Sequence, residues 1–275
     1  MKAMMLSYID KESPLHSLTG ATKLLCFFGW IIATVLTYDT RFLFAMFVIS
    51  LILFKLSKIQ FRSISLIVYL ILLFLLLNNI AIYLFSPLEG VKIYGTRHTI
   101  AHLWWHYDVT LEQLFYQLNI TLKYFTVIPV ALLFVLTTHP SEFASSLNKI
   151  GVSYKIAYSV SIALRYIPDI QRDFQNIAFA QQARGIDLSK NEKLTKRIKN
   201  ASSILFPLIL SSLDRIDSIS SAMELRRFGN KNKRTWYNER TFQKRDFMFM
   251  FAVLILIAIS IYTTIVNEGR YFNPF

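Results

Sequence analysis

Three histidines recur at intervals of four residues in one polar stretch of an otherwise apolar chain. They are His98, His102 and His106, with Trp104 and Trp105 between the last two. On a helix, residues four apart share one face, and histidines spaced in this way can bind a metal ion. The stretch is equally typical of an interfacial segment whose tryptophans lie at the depth of the lipid headgroups. We therefore expect that the chain holds no metal ion. If it does hold one, these three histidines are the candidate ligands.

Two arginine-bearing helix ends are the other candidate functional residues. They comprise Ala183, Arg184 and Gly185 in the first, and Glu224, Arg226 and Arg227 in the second. A cation complements the dipole at a helix C terminus, and glycine is the usual residue just beyond it, so one such end could be a simple cap. Arginine also offers a planar fork to carboxylates or carbonyls of a partner. Because two such ends occur in succession, the sequence predicts a surface for partner proteins.

The sequence contains no recognisable catalytic constellation. It has no Gly-x4-Gly-Lys-Ser/Thr phosphate loop, no paired carboxylates and no arrangement of nucleophile, base and acid. Its one cysteine, Cys26, excludes an internal disulfide. We therefore expect a chain that is not an enzyme and binds no cofactor.

The composition is that of a membrane protein. The 275 residues are 54% hydrophobic and 17% charged, with a formal net charge of +13. Residues 138–246 carry 19 of the 30 Lys and Arg. Basic residues concentrate on the cytoplasmic side of membrane proteins, so the positive charge does not indicate nucleic acid as a partner.

The hydropathy pattern predicts five membrane-spanning helices, since a span needs about 20 mostly apolar residues. They cover roughly 21–38, 41–57, 63–85, 118–138 and 247–267. The second has a short uncharged core, so Arg41 and Lys55 at its ends would extend towards the headgroups. The fold class is therefore an all-α integral membrane protein.

The distribution of charge along the chain predicts its domains and its orientation. Residues 1–137 form a membrane domain with four spans, within which 86–117 faces the outside. Residues 138–246 form a cytoplasmic module, and 247–275 supply the final span and a short tail. The positive-inside rule places the N terminus in the cytoplasm and the C terminus outside.

The cytoplasmic module is predicted to contain two long helices, at about 153–184 and 191–228, because apolar residues recur there every three or four positions. Pro168 is expected to kink the first helix or interrupt its hydrogen bonding, and so to act as a structural hinge. Serine and alanine are dense on both helices. Small side chains let helices approach closely, so we expect the two helices to cross.

Four stretches of the chain, taken in order, resemble the transmembrane T component of energy-coupling factor (ECF) transporters, the CbiQ/EcfT family. They are 13-SPLHSLTGATKLL-25, 164-LRYIPDI-170, 180-AQQARGID-187 and 222-AMELRRF-228. The third matches the first Ala-Arg-Gly motif of the family. The fourth resembles the second motif, usually close to Ala-Met-Glu-Ala-Arg-Gly-Phe, but has Leu225 in place of Ala and Arg227 in place of Gly.

The resemblance implies a coupling subunit of an ABC-type importer in a prokaryotic cell membrane. Its partners would be two ABC-type ATPases, which use the ATP, and one small membrane-embedded S component that binds the substrate. The long helices would be coupling helices, with Arg184 docking into one ATPase and Arg226 into the other. Arg227 would demand a wider groove or add a salt bridge, and Glu224 would hold the arginine end or accept bonds from the partner.

Two other functions remain open on the sequence alone. A self-sufficient carrier or channel would move solute without partners, although a proton-coupled carrier would normally need ionisable groups in its spans. An integral membrane enzyme would bind metal through the histidines at 98–106. The substrate stays open as well: vitamins, their precursors and transition metals all fit, and so do one dedicated or several shared S components.

Overall fold

The computed structural model describes residues 13–104, 107–186, 194–230, 235–237 and 240–275. These residues form an all-α membrane protein with a single β-hairpin. In chain order the elements are α1 (Gly20–Leu36), α2 (Thr40–Leu56), α3 (Phe61–Phe85), α4 (Glu89–Tyr94), β1 (Thr99–Trp104), β2 (Tyr107–Thr110), α5 (Leu111–Thr137), α6 (Pro140–Lys149), α7 (Tyr154–Ala183), α8 (Leu194–Leu225) and α9 (Lys244–Val266). The chain divides into two compact units, one up to His139 together with Arg240–Phe275, and the other Pro140–Glu239.

Helices occupy all five positions predicted for spans. Within the described residues, three helices are long and apolar enough to cross a membrane: Ile64–Phe85 of α3, α5 and α9. The other two, α1 and α2, have 17 residues each. Large apolar side chains such as Leu70 and Phe74 on α3 and Phe251 on α9 are exposed along these helices. Such faces are expected where lipid replaces water.

The fourth span begins earlier than the sequence analysis predicted. α5 starts at Leu111 instead of near residue 118, and the hydroxyl of Thr110 accepts a hydrogen bond from the backbone N–H of Gln113 (3.3 Å). The first turn was missed because it contains the polar residues Glu112 and Gln113. Both are fully buried and bonded to neighbouring segments, so this turn belongs to the helix despite its polarity.

α5 lies at the centre of the first unit and contacts α1, α2, α3 and α4. Two hydrogen bonds tie α1 to its backbone: Trp30 Nε1 donates to the carbonyl of Thr126 (3.1 Å) and Lys23 Nζ to that of Thr137 (2.7 Å). Carbonyls near a helix C terminus carry partial negative charge, which accounts for the buried ammonium beside Thr137.

One carboxylate joins the N termini of α1 and α9. Asp246 is buried, and its oxygens accept from the backbone N–H of Thr19 (2.9 Å) and of Gln243 (2.7 Å). Thr19 caps α1 and Gln243 caps α9. A negative charge between two positive helix ends is favourable, and it satisfies backbone donors that have no partner within their own helices.

The opposite end of this unit is closed by the segment after α9. The ring of Tyr271 stacks on that of Tyr38 with 4.5 Å between centroids, and the backbone N–H of Tyr38 donates to the carbonyl of Arg270 (2.6 Å). Phe275 packs against Tyr94 and Phe115. Aromatic pairs of this kind add to the apolar area that they bury, so the tail is an integral part of the unit.

The second unit contains the two long helices, and their prediction is confirmed by α7 and α8. Residues 187–193 lie outside the described part of the chain. α7 remains helical through Pro168, although proline has no N–H to bond to the preceding turn. The role of Pro168 as a hinge stays a prediction.

Contacts at three levels show that α7 and α8 run antiparallel. Gln181 Nε2 donates to the carbonyl of Ser203 (3.2 Å), and Arg215 Nη2 lies 2.5 Å from Asp173 Oδ2. At the far end, the ring of Phe228, just beyond α8, lies 4.7 Å from the ring of Tyr158. Residues later in α8 therefore contact residues earlier in α7, as in an antiparallel pair.

Gly29 of α1 packs closely against Val253 of α9, and its substitution tests that packing. A Cβ atom at Gly29 would collide with Cγ1 of Val253, a β-branched side chain with little freedom to move. We expect Gly29→Val to lower the free energy of unfolding by about 1–3 kcal/mol. Thermal unfolding in detergent would measure it. Gly269→Val is the matched control, because a Cβ there meets its nearest atom, the oxygen of Asn267, at 3.8 Å. Equal destabilisation by both variants would contradict the close packing.

Candidate functional site

The first arginine end closes α7 with a left-handed glycine. Arg184 is the C-cap, and Gly185 has a φ of 84°. The N–H of Gly185 donates to the carbonyl of Gln182 (2.9 Å), and the N–H of Ile186 donates to that of Gln181 (3.1 Å). This pair of bonds is the Schellman motif, which satisfies carbonyls left open by the last turn.

The second arginine end has the same geometry. After α8, the N–H of Arg227 donates to the carbonyl of Glu224 (2.8 Å), and the N–H of Phe228 donates to that of Met223 (2.9 Å). Arg227 has a φ of 52°. Arg226 therefore takes the place that Arg184 has in the first end, and Arg227 takes that of Gly185. The sequence suggested only a partial likeness between the two ends.

The residue after the C-cap must adopt a left-handed conformation at both ends. In the first end this residue is Gly185, and in the second it is Arg227. A side chain in the left-handed region costs roughly 1–2 kcal/mol relative to glycine. With Arg227 in place of glycine, the second end keeps the same pair of backbone bonds as the first. Arg227 also adds a second exposed cation beside Arg226. Whether the partner needs a wider groove or gains a salt bridge at Arg227 stays a prediction.

The two ends lie far apart. Because α7 and α8 are antiparallel, Arg184 lies at one end of the pair and Arg226 at the other. The 30 residues of α7 span about 45 Å at 1.5 Å per residue. Ala183, Arg184 and Gly185 are exposed at the first end, and Glu224, Arg226 and Arg227 at the second. Pro168 lies on α7 between them, also exposed.

Aromatic residues around Phe228 were not singled out from the sequence. The ring of Phe228 packs against Tyr154 (5.5 Å between centroids) and Tyr158 (4.7 Å), and Trp236 lies 6.3 Å from Tyr158. A tryptophan and a tyrosine inside the basic stretch after α8 were the available signal. These residues give the second arginine end an apolar neighbourhood.

The interpretation of the histidines as one face of a helix is wrong. His98 precedes β1 and His102 lies within it, and β1 pairs with β2 as an antiparallel hairpin. His106 lies outside the described residues. His98 Nδ1 lies 2.7 Å from Glu112 Oε1, whereas His102 Nδ1 lies 2.7 Å from Asp108 Oδ1. His98 and His102 thus each have their own carboxylate.

The hairpin forms because its β-branched and aromatic residues favour strands. Side chains alternate with a period of two on a strand, so residues four apart share one face there as well, and the histidine spacing does not distinguish a strand from a helix. Among the described residues, no group of three or more His, Cys, Asp or Glu side chains could hold a metal ion. The histidine pairs instead fasten the hairpin to itself and to the start of α5.

Asp108 is the residue whose removal tests this arrangement. Hydrogen bonds from His102 and Arg97 hold the pKa of Asp108 below its ordinary value of 3.8. Its stabilising contribution is therefore complete above pH 3.8 and is lost as the pH falls through the lower folded value. We expect Asp108→Asn to speed amide hydrogen exchange in β1 and β2 at neutral pH. Glu89→Gln, which removes the exposed pair with Lys92, is the control. Unchanged exchange in Asp108→Asn would exclude a stabilising role for the cluster.

The left-handed position gives a second prediction. Arg227→Gly should remove the strain at the end of α8 and raise the stability of that unit by about 1 kcal/mol. Gly185→Ala should lower it by a similar amount, because the same conformation is then imposed on a residue with a Cβ. Thermal unfolding and the exchange rates of the Phe228 and Ile186 amides would measure both. The same sign of effect in the two variants would contradict the equivalence of the two ends.

Comparison with known proteins identifies the family. The family model described as cobalt transport protein, CbiQ, matches residues 11–237. The chain is 29% identical to the energy-coupling factor transporter transmembrane protein EcfT of Lactococcus lactis subsp. cremoris over 90% of its length and 93% of the relative's. It is also 29% identical to the EcfT protein of Clostridium kluyveri, covering 94% and 95% of the two chains. For the EcfT protein of Staphylococcus aureus the values are 27%, 93% and 94%.

The family match covers more than half of the chain and includes both arginine ends, and the similarity to EcfT proteins extends over most of it. The chain therefore belongs to the CbiQ family and is a transmembrane component of an energy-coupling factor transporter.

Proposed function

We propose that this chain couples two ABC-type ATPases to a small membrane-embedded S component, and thereby drives import of a substrate bound by that S component. The observation that carries the proposal is the pair of equivalent arginine-bearing caps at opposite ends of one antiparallel helix pair. Two equal ends about 45 Å apart suit two similar partners better than one. ATP is hydrolysed by those partners, and we propose no cofactor for this chain.

Each cap offers the same chemistry to an ATPase. An exposed arginine follows the last turn of a helix, beside a left-handed residue. Its guanidinium can donate several bonds to carboxylates or carbonyls in a groove. We assign Arg184 to one ATPase and Arg226 to the other. Arg227 adds a second cation to the latter contact, and Glu224 either orients the arginines or accepts bonds from the partner.

The long helices also carry apolar faces that no other described residue covers. On α7, Ile167, Ile170 and Phe174 are exposed at helical spacing, and on α8 the exposed apolar residues include Phe206 and Ile209. Apolar faces that extend over successive turns of a helix mark contacts with protein or lipid. They support contact with the S component, which would slide or turn against them when the ATPases close.

The distribution of charge supports a proposal for the cellular location and the orientation of the chain. We propose a prokaryotic cell membrane, with the N terminus and the helix pair in the cytoplasm beside the ATPases, and the C terminus outside. The excess of Lys and Arg in residues 138–246 supports this orientation. We propose that the transported compound is a vitamin, a vitamin precursor or a transition metal. The S component would select which of these is imported.

Arg184→Ala and Arg226→Ala test the coupling. If each guanidinium is buried on docking, its loss leaves partner charges unpaired at a cost of about 3–5 kcal/mol, or at least a hundredfold in affinity. Binding of the two ATPases to the purified chain in nanodiscs would measure it, together with uptake by the assembled transporter.

Arg172→Ala is the matched control, because Arg172 is an exposed arginine of α7 that pairs only locally with Asp169 among the contacts described. We expect it to bind the ATPases normally. Normal uptake by both end variants would refute the assignment. So would a wild-type chain that purifies without ATPases and yet moves solute in liposomes, since it would act as a carrier by itself.

A further inference from the structure

A cavity of about 300 Å³ lies within the second unit, beside the second arginine end. Its walls include Tyr154 and Tyr158 from the start of α7, Phe228 from the cap of α8, and Trp236. Its size is at the lower limit of pockets that bind small ligands, and one large side chain would fill much of it. The first arginine motif and the apolar helix faces do not contribute to this cavity.

The walls are held in place from three segments. Phe228 packs on both tyrosines, and Trp236 packs on Tyr158. The indole Nε1 of Trp236 also donates to Asn148 Oδ1 of α6 (3.1 Å). A ring held by packing on one side and a hydrogen bond on the other loses little freedom when a partner binds. The cavity is therefore preformed.

Tyr154 is the most deeply buried ring of the wall, which also contains the hydroxyl-bearing residues Ser141, Ser161 and Thr235. The residue is only 5% exposed, and its hydroxyl has no hydrogen-bond partner among the described residues. The hydroxyl is enclosed by protein atoms, so an entering group would meet the ring of Tyr154 and not its oxygen.

The surroundings of the cavity select the charge of the partner. Phe228 directly follows the exposed Arg226 and Arg227, and Lys155 lies close to Gly229. No described wall residue is acidic. A cationic side chain would meet like charge here, although aromatic rings alone would attract it. An apolar side chain flanked by carboxylates meets both the apolar walls and the positive rim.

We propose that this cavity receives one large apolar side chain from an acidic segment of the ATPase that docks on Arg226. The inference rests on the proposed function and adds a second contact to it: the arginines hold carboxylates at the rim, while the apolar side chain enters between the rings. An anchor in a preformed pocket beside a charged rim is how interfaces concentrate their affinity.

Filling the cavity tests the proposal. Ser161 lies on its wall, so Ser161→Phe would occupy the space without removing any of the four rings. Ser159→Phe is the matched control, because Ser159 is exposed on the same helix and is not part of the wall. We expect Ser161→Phe to weaken binding of the purified ATPase pair to the full chain in nanodiscs by roughly tenfold or more, and Ser159→Phe to leave it unchanged.

A second measurement follows the wild-type cavity, with Trp236→Phe only as the spectral reference, and does not depend on how Ser161→Phe folds. Fluorescence quenching by acrylamide, taken as the difference between the wild type and Trp236→Phe, reports the accessibility of Trp236. We expect addition of the ATPase pair to protect Trp236. Quenching that does not change on binding would overturn the proposal.

The outcomes separate this inference from the proposed function. If Arg184→Ala and Arg226→Ala weaken ATPase binding while Ser161→Phe does not, the coupling function stands and the cavity is not an anchor site. If the wild-type chain binds no ATPase, the coupling function itself fails, and the inference fails with it.

Discussion

The antiparallel register of α7 and α8 is the constraint on which the function of the second unit depends. Midway along the pair, Arg215 contacts Asp173, and its guanidinium lies 5.6 Å from the ring of Tyr166. Both charged side chains are about one third exposed. A pair this accessible adds little to stability, but it defines which turn of α8 lies beside which turn of α7. That register determines how far apart the two arginine ends lie.

The helix ends show how a structural requirement and a binding requirement meet at one position. Both ends need a left-handed residue directly after the arginine, because the last carbonyls of the helix are satisfied only when the chain turns back. Glycine fulfils this in the first end without strain. In the second end Arg227 adopts the same conformation at some cost and adds a cation next to Arg226. Under the proposed function, the strain retained at one of two otherwise equal ends gives the docking surface an extra charge, and the aromatic cavity beside it is the proposed apolar contact.

The membrane unit is organised around α5 and closed at both ends by polar or aromatic contacts. At one end Asp246 joins the N termini of α1 and α9, and at the other the C-terminal tail packs through Tyr271 and Phe275. Helices in a bilayer gain little from burying apolar surface against one another, because lipid is equally apolar. Specific hydrogen bonds and close backbone approaches, such as that at Gly29, therefore determine how these helices pack.

The sequence by itself determined the properties that depend on local pattern. Long apolar runs specified five helices of a membrane protein, and apolar residues every three or four positions specified α7 and α8. The order of the motifs identified the family, and Arg184 and Arg226 were identified as the exposed ends. These features follow from hydropathy, helical period and capping preference, each of which is readable within a few residues.

Only the tertiary structure decided the features that join distant parts of the chain. His102 lies on a hairpin because β1 pairs with β2, and the polar first turn of α5 is helical because Glu112 and Gln113 bond to distant segments. The backbone conformation of Arg227 made the two caps equivalent, and the separation of the caps and the cavity formed by Tyr154, Phe228 and Trp236 depend on packing between residues many positions apart. A polar or aromatic residue has several low-energy environments, and its neighbours in space, which the sequence does not display, select among them.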